Sequence, residues 1–178
     1  MNEGDPMEVR LMRVDSRLLH GQVATNWAKV LKVDRILVVS DQVAHDNIRK
    51  TLIKQASPPG IKVHVIPLMK MLRIYFDPRF NDFKALILVE NPRDAQTLVE
   101  NGVQVKLVNV GALSFNSSRQ MVTDSISVDQ KDVEAFTWLH DQGVKLDIRK
   151  VSGDPSKDLW KVLTEKGLVK REPNNIHA

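Results

Sequence analysis

The sequence predicts a single α/β domain, with a mostly parallel central sheet covered by helices on both faces and an antiparallel edge strand or hairpin. Short apolar runs alternate with helical segments of about 10–15 residues, which is the pattern of parallel strands joined by helices. The 178 residues are enough for one core and do not require two. No repeat or linker divides the chain. We therefore expect one domain over residues 7–166, with flexible or partly ordered ends at 1–6 and 167–178.

Apolar spacing and turn residues mark the individual elements. Asp41 is the expected N-cap of a long helix, and Asn91-Pro92 begins another, because proline at the first helical position loses no hydrogen bond. The predicted strands are Glu8–Val14, Arg35–Ser40, Lys62–Ile66, Lys84–Val89, Val105–Val110 and Lys145–Val151, with an edge strand or hairpin in Arg119–Val128. The predicted helices are Val23–Val30, Asp41–Gln55, Leu68–Tyr75, the segment from Asn91-Pro92 to Asn101-Gly102, Asp129–Gln142 and Pro155–Lys166.

Helical spacing also predicts which side chains face the core. These are Val43, Ile48, Leu52 and Ile53 in the second helix, Met69, Leu72 and Phe76 around the third, and Val133, Phe136 and Leu139 in the fifth. The tryptophans fall on predicted helices, so we expect them to pack rather than to form a sugar platform: Trp27, Trp138 and Trp160.

Composition excludes several classes of function. The chain has no cysteine, which removes disulfides, thiol nucleophiles and thiolate metal sites. No apolar run approaches the roughly 20 residues that span a bilayer, and the first seven residues do not form a secretory signal. We therefore expect a cytoplasmic protein that meets the membrane only through a partner. The 26 basic residues are interleaved with 22 acidic ones, and aromatics make up only 5%, so we expect an acidic protein partner and no nucleic acid.

The loop after the first strand carries the residues best suited to chemistry. Ligands of parallel sheets bind at the carboxyl ends of the strands, which directs attention to the loops after Val14, Ser40 and Val110. The first of these loops reads Arg13-Val14-Asp15-Ser16-Arg17-Leu18-Leu19-His20-Gly21-Gln22. Imidazole is nucleophilic and neutral near pH 7, so His20 is suited to carrying a phosphoryl group reversibly.

The neighbours of His20 suit a phosphate. Arg13 and Arg17 offer planar guanidinium groups that match its geometry. Gly21 and Gln22 open the following helix, where backbone N–H groups form an anion site. Asp15 could orient the imidazole or an arginine. On composition alone, the same residues also fit a surface loop whose charges simply pair with one another.

The sequence gives little support for a metal site or a nucleotide-binding site. No histidine pair has metal-ligand spacing, so we predict no metal, and we expect structural or surface roles for His45, His64, His140 and His177. His45, which opens a helix near the loop, could also lie close to a partner surface. The glycines are isolated, so no phosphate-binding loop of an ATP-dependent kinase is present, and we predict no cofactor.

The segment Asp15–Val23 closely resembles the active-site loop of the IIB component of the mannose-class sugar phosphotransferase system. The resemblance runs from about Met7 to Leu163. It includes Ile36–Asp41, Val43-Ala44, Ile48–Leu52, Pro58-Pro59-Gly60, Asn91-Pro92, Leu98–Gly102, Val108–Ala112, Ser127–Phe136, Gly143–Val151 and Asp154-Pro155.

The resemblance implies a function as well as a parallel-sheet fold. A IIA histidine would phosphorylate His20, and the phosphoryl group would then pass to a sugar bound in the membrane IIC–IID transporter. Two family arginines at the phosphate site match Arg17 and Arg49, and the loop aspartate matches Asp15. The residues alone describe Arg49 as a solvated helix residue, and only the resemblance assigns it to the site.

The chain departs from the family pattern at three positions near the site. Ser16 stands where family loops usually carry a second aspartate, and Ala112-Leu113 replaces a second glycine followed by methionine. The competing hypothesis is a non-catalytic regulatory or binding module on the same scaffold. The sequence leaves the sugar open and is compatible with a homodimer.

Overall fold

The computed structural model describes residues 6–170, so most of the two expected flexible ends lies outside the described residues. The strands are β1 (Glu8–Asp15), β2 (Arg35–Val39), β3 (Lys62–Ile66), β4 (Lys84–Val89), β5 (Leu107–Ala112), β6 (Gln120–Met121), β7 (Ser127–Val128), β8 (Lys145–Ile148) and β9 (Lys157–Asp158). The α-helices are α1 (Gly21–Leu31), α2 (Asp41–Ala44), α3 (Asn47–Gln55), α4 (Leu68–Tyr75), α5 (Pro92–Glu100), α6 (Gln130–Asp141) and α7 (Leu159–Glu165). A 3₁₀ turn covers Pro78–Phe80.

Seven strands form the central sheet in the order β3-β2-β4-β1-β5-β8-β9. The pairs from β3 to β8 are parallel, and β9 runs antiparallel to β8 at the edge. The predicted fold class is therefore confirmed. The segment Arg119–Val128 forms the predicted hairpin, as the separate ribbon β6–β7. The edge strand β9 comes instead from the start of Pro155–Lys166, which was predicted to be helical.

Apolar side chains cover both faces of the sheet, as expected for parallel strands joined by helices. Along β4, Leu86 and Leu88 belong to one core, while Ala85, Ile87 and Val89 belong to the other. The helices α1 and α3 pack on the first face, and α4, α5, α6 and α7 pack on the second. In consequence β1 runs through the middle of the molecule, with its carboxyl end at the loop that carries His20.

The prediction of one helix over Asp41–Gln55 is wrong. The chain breaks after α2, because Ser40 caps α2 and Asp46 caps α3. The Asp46 carboxylate accepts hydrogen bonds from two backbone N–H groups in the first turn of α3, both at 3.1 Å. Asp41, the predicted cap, accepts instead from the backbone N–H of Leu68 at 2.8 Å and so ties α2 to the start of α4.

The break changes which side chains face the core. Val43 and Ile53 are buried as predicted, but Ile48 and Leu52 are 75% and 60% exposed on the outer side of α3. Met69 and Phe76 are also exposed, contrary to the prediction. The predicted face of α6 is confirmed in full by Val133, Phe136 and Leu139.

The tryptophans pack as expected. Trp27 is buried, and Trp138 and Trp160 lie partly buried against the second core. Within residues 6–170, none of the helices combines the length and the apolar character needed to cross a membrane.

Candidate functional site

Neighbouring strands bring several polar groups to one edge of the sheet. Val14 at the end of β1 is in register with Val89 of β4 on one side and Val110 of β5 on the other. The next residue of β1, Asp15, pairs with Ala112 of β5 because the register shifts after Val14, and Glu90 directly follows Val89 at the end of β4. This carboxyl edge is where ligands of parallel sheets bind.

Asp15 connects the charged groups of the first loop. Its side chain is completely buried, and Oδ2 accepts a hydrogen bond from Arg13 Nη2 at 3.0 Å and lies 3.1 Å from His20 Nε2. Oδ1 accepts from the backbone N–H of Arg17 at 3.0 Å and from its Nε at 3.4 Å. A buried carboxylate needs such partners to offset its lost hydration. Asp15 therefore orients both the imidazole and an arginine, the two roles that the sequence left open.

The imidazole of His20 is held by Asp15 and remains open to solvent. His20 is the N-cap residue of α1, but its side chain makes no capping hydrogen bond, and the ring is 25% exposed. The loop before it is pinned by Leu18, which adopts a left-handed backbone conformation (φ 57°), and by the burial of Leu18 and Leu19. The ring therefore sits at the N-terminus of a helix whose first turn carries no acidic residue, which favours an anion.

Arg13 is a structural support for Asp15 rather than part of an exposed phosphate-binding surface. Only 2% of it is exposed, and its Nη1 donates to Asn109 Oδ1 at 2.5 Å and to the backbone carbonyl of Arg149 at 2.9 Å. Burial lowers the pKa of Arg13, and the Asp15 carboxylate opposes that shift. The expectation that Arg13 reaches the phosphate is corrected by this burial.

Gly111 makes room for the Arg13 side chain. A Cβ atom at this position would lie 1.9 Å from Arg13 Nη2, which no neighbour could accommodate without moving. Glycine is therefore required by the close approach of the guanidinium and not by its backbone angle. Gly111 belongs to the segment Val108–Ala112 that resembles the family, and the position of Arg13 gives a physical reason for a glycine there.

A second layer of buried polar groups lies behind Arg13, and the sequence reading missed it. Asn109 Nδ2 donates to Asp147 Oδ2 at 3.0 Å, and Arg149 Nε donates to the same oxygen at 2.8 Å. Ser156 Oγ bonds the other oxygen of Asp147. The available signal was a polar residue inside each of two apolar strands, Asn109 in β5 and Asp147 in β8. Such buried groups persist only when they are hydrogen-bonded.

Arg17 and Arg49, the other two arginines expected at the phosphate site, are partly exposed. Arg17 is 52% exposed, and its contact with Asp15 leaves the end of its guanidinium free to meet a ligand. Arg49 is 41% exposed, and its Nη2 lies 3.6 Å from Glu90 Oε2 at the end of β4. Gly21 and Gln22 are exposed at the start of α1. The structure thus brings Arg17, Arg49 and the α1 N-terminus to the edge of the sheet that carries His20.

Ser16 joins the loop after β1 to the loop after β5. Its Oγ lies 2.8 Å from Ser114 Oγ, and its backbone N–H donates to the Ala112 carbonyl at 3.0 Å. Leu113 is buried in the second core. The three departures from the family pattern thus lie together where the two loops meet, and the side-chain contact of His20 is with Asp15 and not with any of them.

The other described histidines lie outside this arrangement. His45 ends α2, and its Nδ1 lies 2.7 Å from the Asp41 carbonyl. His64 lies on β3, where burial and nearby cations lower its pKa. His140 stacks on Trp160 with 3.8 Å between ring centroids. The fifth, His177, lies outside the described residues, and among residues 6–170 no cluster of three metal-ligating side chains occurs.

The parallel sheet, with a carboxylate-bound histidine at its carboxyl edge, defines an α/β protein. The family model for the sorbose-subfamily IIB component of the phosphotransferase system matches residues 9–174, and the chain belongs to this family.

The relatives agree with this assignment. The chain is 44% identical over 165 residues to the mannose-specific EIIAB component of Escherichia coli; the match covers 93% of this chain and 51% of that protein. The chain thus spans about half the length of that relative. It is 43% identical to the fructose-specific EIIB component of Bacillus subtilis, covering 88% of this chain and 96% of the relative. The IIBSor domain of the sorbose permease from Klebsiella pneumoniae superposes with a TM-score of 0.87 at 40% identity, covering 89% and 98% of the two chains.

Proposed function

We propose that this protein accepts a phosphoryl group on His20 from a phosphorylated IIA histidine and transfers it to a sugar during uptake through a membrane IIC–IID transporter. The observation that carries the proposal is the contact of His20 Nε2 with Asp15 Oδ2 at 3.1 Å. An ionised carboxylate only accepts hydrogen bonds, so Nε2 carries the hydrogen of the neutral ring. The lone pair is then on Nδ1, which is the nucleophile.

Both steps, from IIA to His20 and from His20 to the sugar, are displacements at phosphorus. The Nδ1 lone pair attacks the phosphoryl group, and the P–N bond of the donor phosphohistidine breaks with its electron pair returning to the donor ring. The Nε2–H of His20 keeps donating its hydrogen bond to Asp15, whose negative charge stabilises the ring while it carries the phosphoryl group. In the second step a sugar hydroxyl attacks phosphorus, its proton passes to water, and His20 leaves as neutral imidazole.

The cations complete the site. Arg17 and Arg49 are exposed enough to turn toward the phosphoryl oxygens, and charge-assisted hydrogen bonds from guanidinium groups suit these oxygens. The first backbone N–H groups of α1, at Gly21 and Gln22, face the same region. No covalent role is needed from these residues, because phosphoryl transfer depends on positioning and on charge stabilisation.

The names of the relatives support the proposed protein partners, but they do not single out one sugar. The relative from E. coli is an EIIAB component, and this chain matches half of it, which supports a IIA domain as the donor. Relatives named for mannose, fructose and sorbose are 44%, 43% and 43% identical to this chain. Since these identities are nearly equal, we assign the choice of sugar to the membrane subunits. The protein then works at the cytoplasmic face of the transporter.

Docking of the donor should use the exposed cations around His20. Arg17 and Arg49 are the partly exposed arginines at this edge of the sheet, whereas Arg13 is buried and takes no part. A transient complex formed this way associates more slowly as salt screens the charges. Backbone chemical shifts during titration with unphosphorylated IIA should change around Asp15–Gln22. Saturable binding of an oligonucleotide at that loop, with no response to IIA, would contradict the proposal.

The direct test is phosphorylation with phosphoenolpyruvate, the general phosphotransferase proteins and IIA, followed by mass spectrometry of peptides. We expect one phosphoryl group, on His20, and none on the His20→Ala variant. The variants His45→Ala and His64→Ala serve as matched controls and should be labelled like the parent. Label on His45 or His64, or label that survives His20→Ala, would show that the proposal is wrong.

A further inference from the structure

A carboxylate stands beside the proposed phosphate site and engages one of its two arginines. Glu90 Oε2 lies 3.6 Å from Arg49 Nη2, and Glu90 Oε1 accepts a hydrogen bond from Ser40 Oγ at 2.5 Å. Ser40 is itself buried, and its Oγ accepts from the backbone N–H of Val43 at 3.2 Å. The glutamate is therefore fixed by a buried anchor, and its second oxygen faces the arginine.

The sheet places this negative charge close to His20. Val89 and Val14 are partners in the parallel pairing of β4 and β1, so Glu90 lies at the level of Asp15 on the adjacent strand. Glu90 is 19% exposed, whereas Asp15, which binds the ring, is fully buried. An arriving phosphoryl group therefore meets Arg49 while the arginine is still paired with Glu90.

Other carboxylates add to the negative potential on this side. Burial and the charges of Glu90 and Asp41 raise the pKa of Asp94, in the first turn of α5, to about 6. Burial is the largest cause of this pKa shift, and the further contributions of Glu90 and Asp41 mean that these carboxylates lie near Asp94. The side of the site formed by β2 and β4 thus combines one partly exposed arginine with a crowded set of acids.

We propose that Glu90 is a positioning residue that holds Arg49 at the site before phosphorylation and gives it up to the phosphoryl group when that group arrives. Two arginines without a counter-ion would bind the phosphoryl group strongly in the resting phosphoprotein. Binding of that kind stabilises the ground state and slows the next step. By competing for Arg49, Glu90 keeps the phosphoryl group transferable. This inference rests on the proposed function of His20.

The test is the variant Glu90→Gln. Glutamine keeps the length of the side chain and an oxygen that accepts from Ser40, but it removes the charge. The equilibrium between phosphorylated IIA and phosphorylated His20 should shift toward His20 by about tenfold, because Arg49 then no longer divides its attraction between Glu90 and the phosphoryl group. Transfer onward to the sugar should slow by a similar factor.

Two controls isolate the effect. Glu100→Gln makes the same change of charge at the other end of α5, where Glu100 accepts a hydrogen bond from Gln96, and it should leave the equilibrium unchanged. In an Arg49→Ala background, Glu90→Gln should lose most of its effect, because the glutamate then has no arginine to compete for.

Three results would overturn the inference: an unchanged equilibrium for Glu90→Gln, an equal shift for Glu100→Gln, or a full shift in the Arg49→Ala background. All three can be measured only if the parent protein is phosphorylated on His20. A parent that takes no label refutes the proposed function itself, so the two failures are distinguishable.

Discussion

The two sides of the site differ in how tightly their charged groups are held. On the side of β1, β5 and β8, Asp15, Arg13 and Asn109 are fully or almost fully buried, and hydrogen bonds of 2.5 and 3.0 Å join them. On the side of β2 and β4, Arg49 is 41% exposed and makes one ion pair at 3.6 Å. His20, the proposed nucleophile, is thus held rigidly, while the arginines proposed to meet the phosphoryl group remain able to exchange partners.

This difference suits the proposed function, in which the protein must both accept and release a phosphoryl group. A fixed ring removes the cost of orienting the nucleophile at the moment of transfer. The arginines can turn to the phosphoryl group without leaving a buried charge unpaired, because Asp15 keeps its contact with Arg13 and Glu90 keeps its hydrogen bond from Ser40. The following predictions test this division, from the largest expected effect to the smallest.

Removing the charge of Asp15 should destabilise the protein through the buried side of the site. In Asp15→Asn, the buried Arg13 loses its counter-ion, and removing one member of a buried pair costs about 3–5 kcal/mol of stability. Urea unfolding measures this loss, and phosphorylation should fall with it because Nε2 loses its carboxylate. The matched control is Asp124→Asn, whose exposed pair with Lys150 should contribute less than about 1 kcal/mol. Equal stability of the two variants would contradict the assignment of Asp15 as the central carboxylate.

Removing either partly exposed arginine should lower the rate of transfer without lowering stability. Arg17→Ala and Arg49→Ala each remove one donor to the transferring phosphoryl group, which costs about 10²–10³ in rate. Rapid-quench phosphorylation measures the rate, and thermal unfolding should be nearly unchanged, since both side chains are partly exposed. A parent-like rate in Arg17→Ala would remove that arginine from the site.

The packing behind the rigid side can be disturbed by a single methyl group. Gly111→Ala places a Cβ against the Arg13 guanidinium, and overpacking of this kind costs about 1–3 kcal/mol. Gly153→Ala is the control, because a Cβ there meets nothing within 4 Å. If the two variants unfold at the same urea concentration, Arg13 does not occupy the position described.

The carboxylates near Glu90 should make the free energy of unfolding depend on pH. The pKa of Asp94 is raised to about 6 in the folded protein, so its ionised form opposes folding at neutral pH and its protonated form does not. Allowing for the solvent around this half-buried group, Asp94→Asn should stabilise by about 1 kcal/mol at pH 7–8. The gain should decline as the pH falls through about 6 and vanish near 4, close to the ordinary value for an aspartate.

Urea unfolding of the parent and Asp94→Asn from pH 4 to 8 measures this difference. A gain that stays constant over that range would mean that the charge of Asp94 is not responsible. It would also weaken the argument that the acids near Glu90 are crowded.

Much of the fold and the centre of the site could be predicted from the sequence. Apolar runs marked the strands from β1 to β5 and β8, because buried parallel strands have a simple pattern. The break between α2 and α3 was missed because Ser40, Asp41 and Asp46 are all acceptable caps. A tertiary contact, the bond from Leu68 to Asp41, separates these candidates. No local pattern contains such a contact.

The supporting contacts of the site were hidden for the same reason. Arg13 meets Asn109 across 96 residues of sequence, and Asn109 meets Asp147 across 38. Sequence reading therefore found the loop with His20, Asp15 and Arg17 but placed Arg13 at the phosphate. The pairing of Arg49 with Glu90 likewise depends on the order of strands in the sheet.

The central claim is that Asp15 holds Nε2 of His20 so that Nδ1 takes the phosphoryl group. Nitrogen-15 NMR of the imidazole, recorded before and after phosphorylation, tests it most directly. We predict that Nε2 carries hydrogen in both states and that the phosphoryl group is bonded to Nδ1. A phosphoryl group on Nε2 would require the contact with Asp15 to break, and it would contradict the account.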